Sequence, residues 1–129
     1  MRIIAGPCQH ESLEHSTMIA NECQRICGKY GFNYFFKASF DKANRSSGSG
    51  KRGVGLEQTM LDFRSMKDDF RDLPILTDVH TAEQVFDIRD YYSDSVDILQ
   101  IPAFLCRQTD LLLAAYDTDK VVNIRKVNS

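Results

Sequence analysis

Five short apolar runs, at Arg2–Ala5, Asn33–Ala38, Ile75–Val79, Asp97–Ile101 and Val121–Arg125, recur along the chain with helical patterns between them. Most of these runs are near-continuously apolar rather than alternating, the pattern of parallel strands covered on both faces. Ser12 is placed to cap a helix running to Tyr30, with Ala20, Cys23, Cys27 and Tyr30 on one face. Leu56, Met60, Phe63 and Phe70 repeat at helical spacing up to a break at Pro74. Thr81-Ala82-Glu83-Gln84 reads as a capping box opening a third helix, and Thr109 as the cap of a short fourth, DLLLAAY. The order is therefore β-α-β-α-β-α-β-α-β, an α/β fold with right-handed crossovers.

Two architectures share that order. One is a doubly wound five-stranded domain of the receiver type. The other is a partial (β/α)8 TIM barrel of five parallel strands and four helices, since a whole barrel takes about 250 residues. The 129 residues end on the fifth strand with no fifth helix, which favours the partial barrel. A composition 43% apolar and 26% charged suits a single domain over residues 1–129. The net charge of −2 argues against a general nucleic-acid or membrane surface, so any anion binding must be local. Neither a membrane span nor a signal peptide is evident, and the expectation is a cytoplasmic protein. Cys23 and Cys27 fall on the apolar side of the first helix and read as buried thiols in a reducing compartment rather than a disulfide.

The residues that end the strands are the polar ones. The first strand runs into Gly6-Pro7-Cys8-Gln9-His10-Glu11-Ser12, the second into Lys37 and the stretch KASFDKANRSS, the third into Asp78 and His80. Gln100 to Phe104 follow the fourth, while Asn123, Arg125 and Lys126 end the fifth. In a parallel layer all these ends share one rim, whereas the opposite strand ends read as bland. Lys37, Lys42 and Arg45 on one rim suit a ligand with several negative charges, phosphate or carboxylate above all. Asn44, Ser46 and Ser47 add neutral hydrogen bonds suited to sugar hydroxyls or phosphate oxygens. The plainer alternative is a solvated basic loop paired with Asp41 and Asp78. Ser46–Gly55, with four Gly and three Ser, reads as the flexible linker between second strand and second helix. His10, Glu11 and His15 approach a metalloprotease motif. A spacing of five sets the histidines roughly 140° apart around a helix, which excludes it.

The segments IAGPCQHES, FKASFDKANRSS, RGVGLEQ, LTDVH, LQIPAFLCRQTDLLLAA and VVNIRK stand in this order from Ile3 to Lys126. In them the chain resembles the N-terminal half of 3-deoxy-D-manno-octulosonate 8-phosphate (KDO-8-phosphate) synthase. Related 7-phosphate (DAHP-type) synthases share the first strands but carry a Lys-Pro-Arg-Thr type motif where this chain has Lys42-Ala43-Asn44-Arg45. The resemblance implies a (β/α)8 barrel that condenses phosphoenolpyruvate with D-arabinose 5-phosphate and releases phosphate, in lipopolysaccharide sugar synthesis. It implies Lys37, Gln100 and Ala103 near phosphoenolpyruvate, and Lys42, Asn44, Arg45, Ser46, Asp78 and Phe104 facing the pentose phosphate or the reacting centre. Lys42 and Asp78 are the catalytic candidates. Arg107 would reach the pentose phosphate of a neighbouring subunit, in a family that forms tetramers. Arg125 stands where the family has a Lys that contacts phosphoenolpyruvate.

Cys8 resembles the metal ligand of one branch of that family, where His, Glu and Asp join it around a divalent Zn, Fe or Mn. Those partners belong to the second half of the barrel, so the 129 residues alone are expected to hold no catalytic metal. Gly48-Ser49-Gly50 replaces the family's Ile-His-Ser, and the family continues well past the fifth strand, where this chain reads Val127-Asn128-Ser129. The expectation is a half-barrel, inactive alone, that associates with itself or with a complementary C-terminal half. Two other readings are a non-catalytic remnant that binds phosphorylated anions and a receiver-like domain using Asp78 and Lys126. The latter lacks the acidic pair that such domains place after the first strand.

Overall fold

Strands β1 (Arg2–Gln9), β2 (Asn33–Ser39), β3 (Ile75–Asp78), β4 (Ile98–Ile101) and β5 (Val121–Ile124) alternate with helices in a computed structural model that describes residues 1–40 and 54–125. The helices are α1 (Leu13–Tyr30), α2 (Leu56–Asp69), α3 (Ala82–Tyr91) and α4 (Thr109–Tyr116), and a 3-10 turn at Ala103–Leu105 follows β4. All four strand pairings are parallel, and the sheet order is β1-β2-β3-β4-β5.

That order decides between the two architectures. A doubly wound domain reverses direction at a switch point, which puts helices on both faces of its sheet. Here each right-handed crossover steps the same way, so every helix falls on one face. This is the layering of a (β/α)8 barrel, seen over five of its strands.

Burial confirms the two faces. Tyr34, Phe36, Ala38, Ile75, Leu99 and Ile101 belong to one buried cluster with helix residues Ala20, Met60, Phe63, Val85, Ile88 and Leu111. Phe36 meets Phe63 of α2 edge-on, with ring centroids 5.8 Å apart. Each Val, Leu, Ile, Phe or Met side chain among them contributes about 1.5–3 kcal/mol on burial, so this helix-facing layer is a main source of the fold's stability. Leu76, only 1% exposed, is not part of that cluster, because it points from the opposite face of β3.

Two caps form as their sequences predict. Ser12 Oγ accepts from the His15 backbone N–H at 3.1 Å. Thr81 and Gln84 complete a reciprocal capping box at the start of α3. α1 stops at Gly31, whose φ of 72° is the left-handed turn that glycine adopts without cost.

Four expectations need correction. Thr109 is the first residue of α4 rather than its cap; Gln108 holds that position and makes no side-chain capping bond. Tyr30 is 62% exposed, turned out at the last turn of α1 and stacked on Phe32 at 6.1 Å. β1 runs to Gln9 instead of Ala5, because a bulge between Ala5 and Cys8 lets pairing with β2 resume beyond Pro7. Finally, the amino ends of the strands are not bland. Lys67 pairs with Asp97, whose Oδ2 also accepts from the Ile75 N–H at 2.8 Å, and Lys120 Nζ donates to the Val96 carbonyl at 2.7 Å. Burial pulls the Lys120 ammonium below its usual range.

Candidate active site at the carboxyl ends of the strands

Partners paired directly in a parallel sheet share a face, so the register lists what lines the side away from the helices. One row runs Lys37, Leu76, Ile98, Val121. The next row toward the carboxyl ends contains Asp78, Gln100 and Asn123. Ser39 joins it by donating its hydroxyl to the Asp78 carboxylate, and Gln9 pairs with Ser39 in register. Asn123 Nδ2 donates to Gln100 Oε1 at 3.2 Å. The inner face thus changes from apolar to polar over a single step along the strands, with Lys37 half-buried at the boundary.

Asp78 is the centre of this face. Its side chain is nearly buried, and its second oxygen lies 3.2 Å from His80 Nε2. Burial alone would push the carboxyl up, but the hydrogen bonds from His80 and Ser39 outweigh it and hold Asp78 below the usual carboxylate range. Asp78 is therefore an ionised acceptor at neutral pH. His80 is itself pinned from both sides: Phe40 meets its ring edge-on at 6.3 Å, and Phe104 stacks over it at 6.5 Å. Its backbone N–H donates to Gln84 Oε1 at 2.8 Å, tying it to the cap of α3.

At the end of β1, a Cβ on Gly6 would lie 1.7 Å from the Lys37 carbonyl oxygen, so only glycine permits this approach of β1 to β2. The chain then turns through Cys8 at φ 66°, a left-handed conformation rarely held by a residue with a side chain. Cys8 is exposed there. A thiolate is a suitable donor for Zn or Fe. Among the described residues, however, no group of three His, Cys, Asp or Glu side chains is placed to hold a metal. A catalytic divalent ion takes about three protein donors, of which Cys8 could be one.

Besides Cys8, the sequence-based candidates fall into four groups. Lys37, Asp78 and Gln100 come together on the inner face. Ala103 and Phe104 form the turn above it, Phe104 being 60% exposed over His80. Arg125 is exposed just beyond β5, with its N–H on the Ile101 carbonyl at 3.1 Å, and Arg107 is exposed two residues past the 3-10 turn. Lys42, Asn44, Arg45 and Ser46 lie outside the described residues. Reading strand ends alone missed Ser39 and Asn123 as partners of Asp78 and Gln100. Both were legible in principle, as polar residues in register with known candidates.

The family profile described as the DAHP synthetase I family matches residues 1–129. A protein of Rhizobium meliloti (strain 1021) named 2-dehydro-3-deoxyphosphooctonate aldolase is 52% identical over 126 residues, covering 98% of this chain and 43% of the relative. Proteins of the same name from Agrobacterium fabrum (strain C58 / ATCC 33970) and Bartonella tribocorum (strain CIP 105476 / IBS 506) are 51% and 52% identical. They cover 96% and 98% of this chain, and 42% and 44% of the relatives. The chain spans less than half the length of these curated relatives. With a profile match along its whole length and a strand order compatible with a partial (β/α)8 barrel, the chain belongs to the DAHP synthetase I family.

Proposed function

We propose that the inner face of β1–β5 is one half of a site that condenses phosphoenolpyruvate with D-arabinose 5-phosphate, giving 3-deoxy-D-manno-octulosonate 8-phosphate and phosphate. The observation that carries this reading is the polar row Ser39, Asp78, Gln100, Asn123 beside Lys37, at the carboxyl ends of a barrel-ordered sheet. Supporting it, relatives 51–52% identical over nearly all of this chain carry the name 2-dehydro-3-deoxyphosphooctonate aldolase.

Both substrates are phosphorylated anions, and bringing them together requires cations held in place beforehand. Lys37 and Arg125 serve the phosphoenolpyruvate side with Gln100 and Ala103; Lys42, Asn44, Arg45 and Ser46 serve the pentose phosphate with Phe104. Arg107 serves the pentose phosphate across a subunit boundary. Asp78, ionised and already bonded to Ser39 and His80, accepts from a substrate hydroxyl and does not donate a proton in its resting state. Charge then develops on oxygen as the carbon–carbon bond forms, and the preset donors of the rim stabilise it. Cys8 offers a thiolate to a divalent Zn, Fe or Mn whose other donors come from outside the described residues; bound there, such an ion would add Lewis-acid stabilisation at the reacting oxygen. Among the described residues, no helix is long and apolar enough to cross a membrane, which is compatible with cytoplasmic chemistry on water-borne sugars.

Titration calorimetry with phosphoenolpyruvate at low salt tests the half-site. Weak binding is expected, falling about tenfold or more in Lys37→Ala and Lys42→Ala, the size of a lost charge-assisted hydrogen bond. Rising salt should weaken binding further. Equal affinity in wild type and both variants would remove the cations from the site.

A further inference from the structure

Cys23 and Cys27 take no part in the chemistry above, and the sequence reads them simply as buried thiols. The structure departs from that reading at one of the two. Cys27 is 4% exposed within the core, whereas Cys23, one turn earlier on α1, is only half-buried. Neither is in a disulfide. Both sulfurs act on the same group, the Tyr34 hydroxyl of β2. Burial pushes that hydroxyl well above its usual range, and the nearby Cys23 and Cys27 sulfurs add to the shift. Tyr34 donates its proton to the Ala5 carbonyl at 2.8 Å, which fixes the ring beside the two sulfurs. A cleft of about 330 Å³ opens on Cys27, lined also by Phe32, Tyr34 and Pro74. It lies at the amino ends of β2 and β3, the far end of the sheet from Asp78.

Spacing decides what two such thiols can do. Residues four apart on a helix have Cβ atoms about 5–6 Å apart. A disulfide needs about 3.5–4.5 Å, so a direct S–S bond would require α1 to deform. An ion between the sulfurs meets no such limit, since two metal–thiolate bonds of about 2.3 Å in line span roughly 4.6 Å. Zn would need further donors, and among the described residues no third His, Cys, Asp or Glu joins the pair. Two soft donors without a third suit Cu(I) or its analogue Ag(I), monovalent ions that accept linear two-thiolate coordination.

We propose that Cys23 and Cys27 form a two-thiolate site for a monovalent soft metal ion, reached through the cleft beside Tyr34. Binding replaces two S–H bonds by two S–metal bonds, releases two protons to solvent and changes no oxidation state. The site sits on the helix-covered side of the sheet and stands independently of the condensation reading.

The test is anaerobic titration of the 129-residue chain with Cu(I) alone, in competition with a chromogenic Cu(I) chelator. One ion should bind per chain, and Cys8→Ser and Cys106→Ser should leave its affinity unchanged. Cys23→Ser and Cys27→Ser should each weaken it about a hundredfold or more, since even losing a group behind a ligand costs about 10–100-fold. Equal affinity in Cys23→Ser and wild type, or a loss in Cys8→Ser or Cys106→Ser, would mean an adventitious ion only and overturn the proposal. Because Cys27 is buried and its replacement can unfold the chain, the wild-type chain supplies a second readout. One equivalent of Ag(I) should slow iodoacetamide labelling of Cys23 about tenfold or more, read by mass spectrometry, because a metal-bound thiolate is no longer a free nucleophile. Cys8 and Cys106 should stay reactive. Unchanged labelling of Cys23, or protection falling first on Cys8 or Cys106, overturns the proposal by itself.

Discussion

Asp78 shows how a buried charge is kept at neutral pH. Its folded pKa lies below the unfolded value, so the stability it contributes is present above the ordinary carboxylate pKa and lost as pH falls through the folded value. Stability measured by urea unfolding should therefore fall as the solution is acidified below about pH 4. Asp78→Asn should flatten that dependence; a variant with the same acid response as wild type would show that Asp78 is not its source. Asp78→Ala, which leaves Ser39 and His80 without their acceptor, should cost about 1–3 kcal/mol in the same measurement. Asp78 and Gln100 were legible in the sequence because they end strands. The pairing of Ser39 with Asp78 and of Asn123 with Gln100 emerges only once the strands are set in register, and the His10–Asp62 pair was not legible at all, since it joins residues 52 apart in the chain. No local pattern encodes a contact of that kind.

At the level of elements, most of the fold could be read before the structure, for identifiable reasons. Continuous apolar runs and good caps are local signals, and Ser12, Thr81 and Gly31 act where they stand. Thr81→Ala should remove the capping box and cost about 1 kcal/mol in thermal or urea unfolding. The bulge of β1 was not legible, because it is a shift in pairing with β2, and the close approach of Gly6 to the Lys37 carbonyl likewise exists only once the two strands are side by side. Gly6→Ala drives a Cβ into that carbonyl, so β1 and β2 must separate or slip. The expected loss is at the upper end of overpacking costs, about 3 kcal/mol or more. A Gly6→Ala chain as stable as wild type would mean that β1 does not approach β2 in this way. Tyr30 and Thr109 were misplaced at helix ends, where a one-residue shift moves a side chain by a large angle around the axis.

The whole sheet has a helix-covered face and a site-bearing face, and its outer strands β1 and β5 each pair on one side only among the described residues. Unpaired strand edges are templates for association. Exposed Phe104, Leu113 and Tyr116 add apolar surface near β5. The 129-residue chain should therefore self-associate in sedimentation at micromolar concentration; a well-ordered monomer that binds no apolar dye would contradict this. The same geometry makes the site divisible. On the proposed reading, Lys37, Asp78, Gln100 and Cys8 are the share of the site carried by residues 1–129, and a second half of the barrel would supply further donors for the metal and both phosphates. The most direct measurement is phosphate release from phosphoenolpyruvate, coupled to added D-arabinose 5-phosphate and divalent metal. It is run on the 129-residue chain alone and then mixed with the C-terminal remainder of the Rhizobium meliloti relative. Release that needs both substrates and both polypeptides, and that falls on Cys8→Ala, is the predicted result. Cys8-dependent release by the 129-residue chain alone, or none from a mixture shown to assemble, would contradict it.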